Sequence, residues 1–150
     1  MIVVRKAQAG DSRIIASFQI FLARETEQLE LDPADVEQGV KAVFSDPGKG
    51  CYYIAKCGGD IAGSLLITYE WSDWRNRTIL WIQSVYVVPK HRNKHVFRYL
   101  YEHIKQRVED NPGLGGIRLY VDVTNKKAMQ VYRHLGMNSE HYRLFEWIPS

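Results

Sequence analysis

Two stretches of this chain carry side chains whose types and spacing could do chemistry. The first runs Val85-Tyr86-Val87-Val88-Pro89-Lys90-His91-Arg92-Asn93-Lys94-His95-Val96-Phe97-Arg98. An apolar strand delivers the chain through a basic loop to a helix start. A helix start offers N–H groups without intrahelical acceptors and a partial positive charge, which together suit an anion such as a phosphate. Lys90, Arg92, Lys94 and Arg98 add cationic side chains, although a solvated basic loop would read the same way. The second stretch runs Asn125-Lys126-Lys127-Ala128-Met129-Gln130-Val131-Tyr132-Arg133-His134-Leu135-Gly136-Met137. Asn125 suits a helix N-cap, and Gly136 suits the position after a helix end. Tyr132 offers either a proton or ordinary packing.

A third group is Tyr69, Glu70, Trp71 and Trp74. Aromatic faces beside a carboxylate suit a cationic amine. The same aromatics would equally cover a sheet end or form a dimer contact. Glu25 and Glu27, after the first helical stripe, are further carboxylates open to the same use or to plain solvation. His91 and His95 form an HxxxH, but Lys90, Arg92 and Lys94 surround it and oppose a cation, so no metal site is expected.

The elements that must position these groups alternate between strand and helix patterns, which argues for a mixed α and β fold. Ile2–Ala7 reads as a strand. Asp11 caps a helix bearing Ile14, Ile15, Phe18, Phe21 and Leu22, which frays into 24–30. Asp32 and Pro33 start a second helix with Val36, Val40, Val43 and Phe44 as its stripe. Cys51–Cys57 and Ile61–Tyr69 flank a Gly58-Gly59-Asp60 turn. Residues 71–77 read as a loop. Thr78–Val88 is apolar on both faces and reads as a central, covered strand. A helix at Val96–Glu109, a strand at Ile117–Val123, a short helix at Asn125–Leu135 and a final strand at Arg143–Ile148 complete the order.

The chain has 150 residues and is 45% hydrophobic, enough for one domain spanning 1–150 with its own core. Its net charge of +3 is too balanced for a nucleic-acid coat or a membrane-surface protein. No apolar run approaches a membrane span, and the first residues lack a secretory h-region. Cys51 and Cys57 on one strand would lie roughly 20 Å apart, too far to bond. Unpaired thiols fit a reducing, cytoplasmic compartment.

Together and in this order, the two main stretches resemble the GNAT superfamily of acetyl-coenzyme-A-dependent N-acetyltransferases. Its members read V-x-P-x-x-[QR]-x-x-G-x-[GA] and later N-x-x-[AS]-x-x-x-Y-x-x-x-G-[FM]. Val87, Pro89 and Arg92 match the first pattern. Asn125, Ala128, Tyr132, Gly136 and Met137 match the second, and the element order also agrees. The resemblance implies α/β/α layers in an α+β fold, with a mixed central sheet whose fourth and fifth strands splay apart. It implies acetyl-CoA as co-substrate, its pantetheine beside Val85, Tyr86 and Val87 and held by Asn125. The diphosphate would lie over Arg92, Asn93, Lys94, His95, Val96, Phe97 and Arg98.

In that scheme a backbone N–H near Tyr86 or Val87 polarises the thioester, and Tyr132 protonates the leaving thiolate. For the base, Glu70 is the first candidate, with Glu25 and Glu27 next; a water chain or a neutral amine would also serve. Trp71 and Trp74, with Glu25 and Glu27, would line the acceptor site. The acceptor would be an amine of a small molecule or peptide, and a homodimer is compatible with the family. The chain departs from the pattern at two glycines, replaced by His95 and Phe97. If the loop needs φ > 0, Asn93 and His95 are among the better non-glycine choices. The competing reading is a binding or regulatory module of the same fold that has lost coenzyme A.

Overall fold

The computed structural model describes residues 1–150, which form two compact units, Met1–Arg118 and Leu119–Ser150. The first unit holds β1 (Ile2–Lys6), α1 (Ser12–Glu27), α2 (Pro33–Ser45), β2 (Cys51–Cys57), β3 (Asp60–Ser72), β4 (Arg77–Val87), α3 (Val96–Asp110) and β5 (Leu114–Arg118). The second holds α4 (Lys126–His134). The sheet order is β1-β2-β3-β4-β5, antiparallel through β4 and parallel between β4 and β5. α3 supplies the crossover that a parallel pair requires. The mixed five-stranded sheet with helices on both faces is the fold class that the sequence implied.

Side-chain alternation assigns the two faces. Tyr52 and Ile54 join Ala7, Ile15, Ala16 and Val40 in a core under α1 and α2. Tyr53, between them, points the other way, its ring 5.4 Å from that of His103 on α3. Leu65, opposite Tyr53, and Ile67 continue that second core with Leu100 and Ile104, all fully buried.

Local signals account for the helix starts. The Asp32 carboxylate accepts from the Ala34 N–H at 2.9 Å and Pro33 opens α2. Asp11 precedes α1 but its carboxylate turns elsewhere, accepting from the Gln8 N–H at 2.7 Å and from Arg5 at 2.9 and 3.2 Å. That pair ties β1 to the start of α1.

Several boundaries differ from expectation. β3 runs on through Trp71 and Ser72, so the expected loop at 71–77 shrinks to a tight turn before Arg77. The fifth strand is Leu114–Arg118 rather than Ile117–Val123, because it begins as soon as the Asn111-Pro112-Gly113 turn ends. No strand forms at 143–148, where alternating apolar residues had suggested one. Cys51 and Cys57 are both free thiols. No helix is long and apolar enough to cross a membrane.

Candidate functional site

β4 changes character near its end. Leu66 pairs with Gln83 and Ser64 with Tyr86, so Leu65 alone faces both Ser84 and Val85. This is a β-bulge, and Ser84 takes φ +53° to make it. A bulge interrupts the ladder and re-aims the backbone groups beside it. The parallel ladder from β5 runs from Thr78↔Leu114 to Trp81↔Arg118 and stops short of this point. Val85, Tyr86 and Val87 thus carry backbone N–H groups past the bulge, at the end of β4 that leads into the basic loop. The sequence gives no sign of the bulge, since neither Gly nor Pro marks it.

Gly63 brings α3 to the same place. A Cβ there would lie 2.6 Å from the Tyr86 carbonyl oxygen and 3.3 Å from a Val96 methyl. Only glycine lets β3, β4 and the first residue of α3 approach this closely. Val96 is buried, and its packing sets the helix start beside the bulged end of β4. A glycine inside an apolar strand was the available signal.

The loop between them has the backbone of an anion cradle. Asn93 and His95 take φ +64° and +65°. His95 is the N-cap of α3 and makes no side-chain capping bond. Asn93, Lys94, His95 and Arg98 are exposed. Of the two residues that replace the family pattern's glycines, His95 keeps the left-handed geometry, while Phe97 lies in the first turn of α3. Phe97 is half-buried, its ring 6.2 Å from that of Tyr101 one turn along α3. These residues fit a diphosphate: an uncapped helix start, a left-handed loop and two exposed cations.

Arg92 does not project from this cradle. Its Nε donates to the Val87 carbonyl at 2.9 Å and its Nη2 to the Glu25 carboxylate at 2.8 Å. Its guanidinium lies 5.5 Å from the centre of the Tyr86 ring. Phe18 and Phe21 of α1 flank that ring at 5.1 and 6.1 Å. Glu25 therefore reaches the end of β4. Glu27 ends α1, exposed and two residues on, which turns it to a different side of the helix.

Glu70 is poorly suited as a base. Its Oε1 accepts from the Trp81 indole N–H at 2.7 Å and its Oε2 from Arg118 at 2.7 Å. Those two bonds, that from Trp81 first, hold its carboxyl below the usual range. Glu70 also pairs four residues along β3 from Leu66, about 13 Å from the bulge. The expected aromatic wall around it does not form. Tyr69 and Trp71 flank Glu70 in β3 and so face the other side of the sheet, while Trp74 sits in the turn at 91% exposure. On the Glu70 face, Gln83 donates to the Thr68 hydroxyl at 2.6 Å.

His91 is buried with its Nε2 3.7 Å from the Asp60 carboxylate, whereas His95 is exposed, so the HxxxH does not converge.

In the second unit, Asn125 caps α4, its Oδ1 accepting from the Ala128 N–H at 3.1 Å. Gly136, at φ +91°, closes the other end. The Gly136 N–H bonds the Arg133 carbonyl and the Met137 N–H bonds the Tyr132 carbonyl, both at 3.0 Å, a Schellman motif. Tyr132 is therefore held from both ends of a nine-residue helix. Burial pushes its phenol above the usual tyrosine range.

Comparison with known proteins gives a consistent result. A family model described as the acetyltransferase (GNAT) family matches residues 16–137. A solved structure described as a possible acetyltransferase from Clostridium difficile 630 is 39% identical, with a TM-score of 0.92 over 100% of this chain and 99% of that one. A predicted acetyltransferase with acetyl-CoA from Clostridium acetobutylicum is 15% identical, with a TM-score of 0.75 over 97% and 96% of the two chains. A ribosomal-protein-alanine N-acetyltransferase from Brucella melitensis biovar Abortus 2308 is 11% identical, with a TM-score of 0.80 over 99% and 100%. No curated protein matches.

Proposed function

The chain belongs to the GNAT acetyltransferase family, and from that premise we propose that it moves the acetyl group of acetyl-CoA to a primary amine. The observation that carries this reading is the bulge at Ser84 beside the uncapped, left-handed start of α3. When bound, acetyl-CoA supplies an acyl group activated as a thioester. The loop backbone at 93–98, with Lys94 and Arg98, binds the diphosphate. Backbone N–H groups at Tyr86 or Val87 polarise the thioester carbonyl, where they act on charge that grows during the reaction.

The amine nitrogen forms the new C–N bond as the C–S bond breaks. The leaving sulfur takes the Tyr132 phenolic proton, and the amine's proton passes to a carboxylate or to water. Glu25 is the carboxylate best placed for this, because it alone of the three candidates lies at the end of β4. In this reading residues 1–150 act as one acetyltransferase domain. The acceptor is an amine of a small molecule or peptide in the cytoplasm, with no role for nucleic acid or membrane. A homodimer is an assembly to test by light scattering.

The alternative is a binding module that has lost coenzyme A. The left-handed Asn93 and His95 argue against it, since the replaced residue still adopts the geometry glycine would serve. Calorimetric titration with acetyl-CoA separates the two. Saturable binding that weakens with salt supports the transferase. No binding up to millimolar ligand removes it. A screen of primary amines for free-thiol release then identifies the acceptor.

A further inference from the structure

Arg92 stands where the family pattern has Gln or Arg, yet its exposed guanidinium folds back along the end of β4. One nitrogen holds the Val87 carbonyl, another holds Glu25, and the plane sits over the Tyr86 ring. A lone exposed ion pair fixes little. A planar guanidinium bonded at two nitrogens and set over a ring is far more restricted. Its partners come from two elements, the end of β4 and the last turns of α1. Glu25 needs such a partner, because a carboxylate near a helix C-terminus opposes the helix dipole. The nearest cation in its own turn, Arg24, is already paired with Glu30 at 2.7 Å. Glu25 is thus placed, by a residue 67 positions away, beside a tyrosine that lies just past the bulge.

Resting on the acetyl-transfer reading above, we infer that Arg92 is a positioning residue. It holds the Glu25 carboxylate at the bulged end of β4 to receive the ammonium group of the acceptor. The diphosphate of acetyl-CoA is left to the loop backbone, Lys94 and Arg98. The acceptor is accordingly a cationic amine that approaches along the α1 side of the sheet, and Glu25 takes part in binding it.

The test compares the wild-type chain with Arg92→Gln, Arg92→Lys, Glu25→Gln and the Arg92→Gln/Glu25→Gln double variant. Acetyl-CoA is titrated into each by calorimetry at two salt concentrations. Turnover is then followed with the amine found by thiol release. The expected result is an acetyl-CoA Kd within about threefold of wild type in every variant, as for a residue that does not touch the ligand. The KM for the amine rises about tenfold or more in Arg92→Gln and in Glu25→Gln alike, and the double variant is no worse than either. Arg92→Lys recovers part of the loss, since lysine reaches Glu25 but cannot fork to Val87 as well. An Arg92→Gln variant that binds acetyl-CoA about tenfold more weakly, with a shallower salt dependence, marks Arg92 as a phosphate ligand and overturns the inference. So does Glu25→Gln with a wild-type amine KM. A wild-type chain that fails to bind acetyl-CoA overturns the transferase reading itself, a distinct result. The binding arm decides whether Arg92 is a phosphate ligand, and the amine KM decides whether it positions Glu25.

Discussion

Tyr132 and His95 show how much one residue's chemistry depends on the backbone that holds it. Tyr132 has its carbonyl bonded by the Met137 N–H and its helix capped by Asn125, while burial pushes its phenol above the usual range. A proton donated only as sulfur leaves stabilises the transition state and not the bound ground state. Tyr132→Phe should therefore lower kcat by about 10²–10⁴-fold and leave acetyl-CoA affinity nearly intact. A Phe variant with wild-type turnover would reduce Tyr132 to a packing residue. At His95 the left-handed backbone costs a non-glycine residue roughly 1–2 kcal/mol. Glycine relieves that strain but adds about 0.4–1 kcal/mol of unfolded-chain entropy. His95→Gly should then leave the melting temperature unchanged or slightly higher, and acetyl-CoA binding equal or tighter. A large loss of affinity would mean that the imidazole itself contacts phosphate.

Between elements, the most exacting link is Asp11, which joins β1 to the start of α1 through Arg5 and the Gln8 N–H. The bond from Arg5, more than any other cause, holds its carboxyl below the usual range. A carboxyl lowered on folding contributes stability that is present above its unfolded pKa of about 3.9 and is lost as pH falls through the folded value. Asp11→Asn should therefore lower stability at neutral pH and flatten the acid limb below about pH 4, as read by urea titration at a series of pH values. An acid limb identical to wild type would show that Arg5 and Asp11 are no better paired folded than unfolded. What sequence could convey at this scale followed the range of its signals. Pro33, Gly136 and Asn125 act on their neighbours, and their helices start and end where expected. The loop around Asn93 and His95 was legible because those residue types tolerate φ > 0. The Ser84 bulge was not, because an extra strand residue leaves the apolar pattern unbroken. The fate of Glu70 was hidden too, since its partners Trp81 and Arg118 lie 11 and 48 residues away. Its expected aromatic neighbours failed on the simplest rule of a strand, that adjacent side chains face opposite ways.

Across the whole molecule the charge is nearly balanced at +3, so any attraction for a polyanion must come from local placement of Lys94, Arg98 and the α3 start. Acetyl-CoA affinity should accordingly fall with ionic strength through that one loop, and Lys94→Gln with Arg98→Gln should flatten the salt slope. A slope unchanged in the double variant would place the diphosphate elsewhere. The sheet order carries a different consequence, for the time course of folding. β2, β3 and β4 are sequence neighbours joined by tight turns, so their contacts close short loops. β5 reaches β4 only after the whole of α3 has crossed the sheet. Its docking is the more expensive in loop entropy and should come after the rate-limiting barrier. Ile117 of β5, paired with Leu80, reports on that step. In a stopped-flow chevron, Ile117→Ala should speed unfolding and barely alter refolding, whereas Ile67→Val in the central meander should slow refolding. Refolding slowed by Ile117→Ala in proportion to its lost stability would place the parallel strand inside the nucleus instead of behind it.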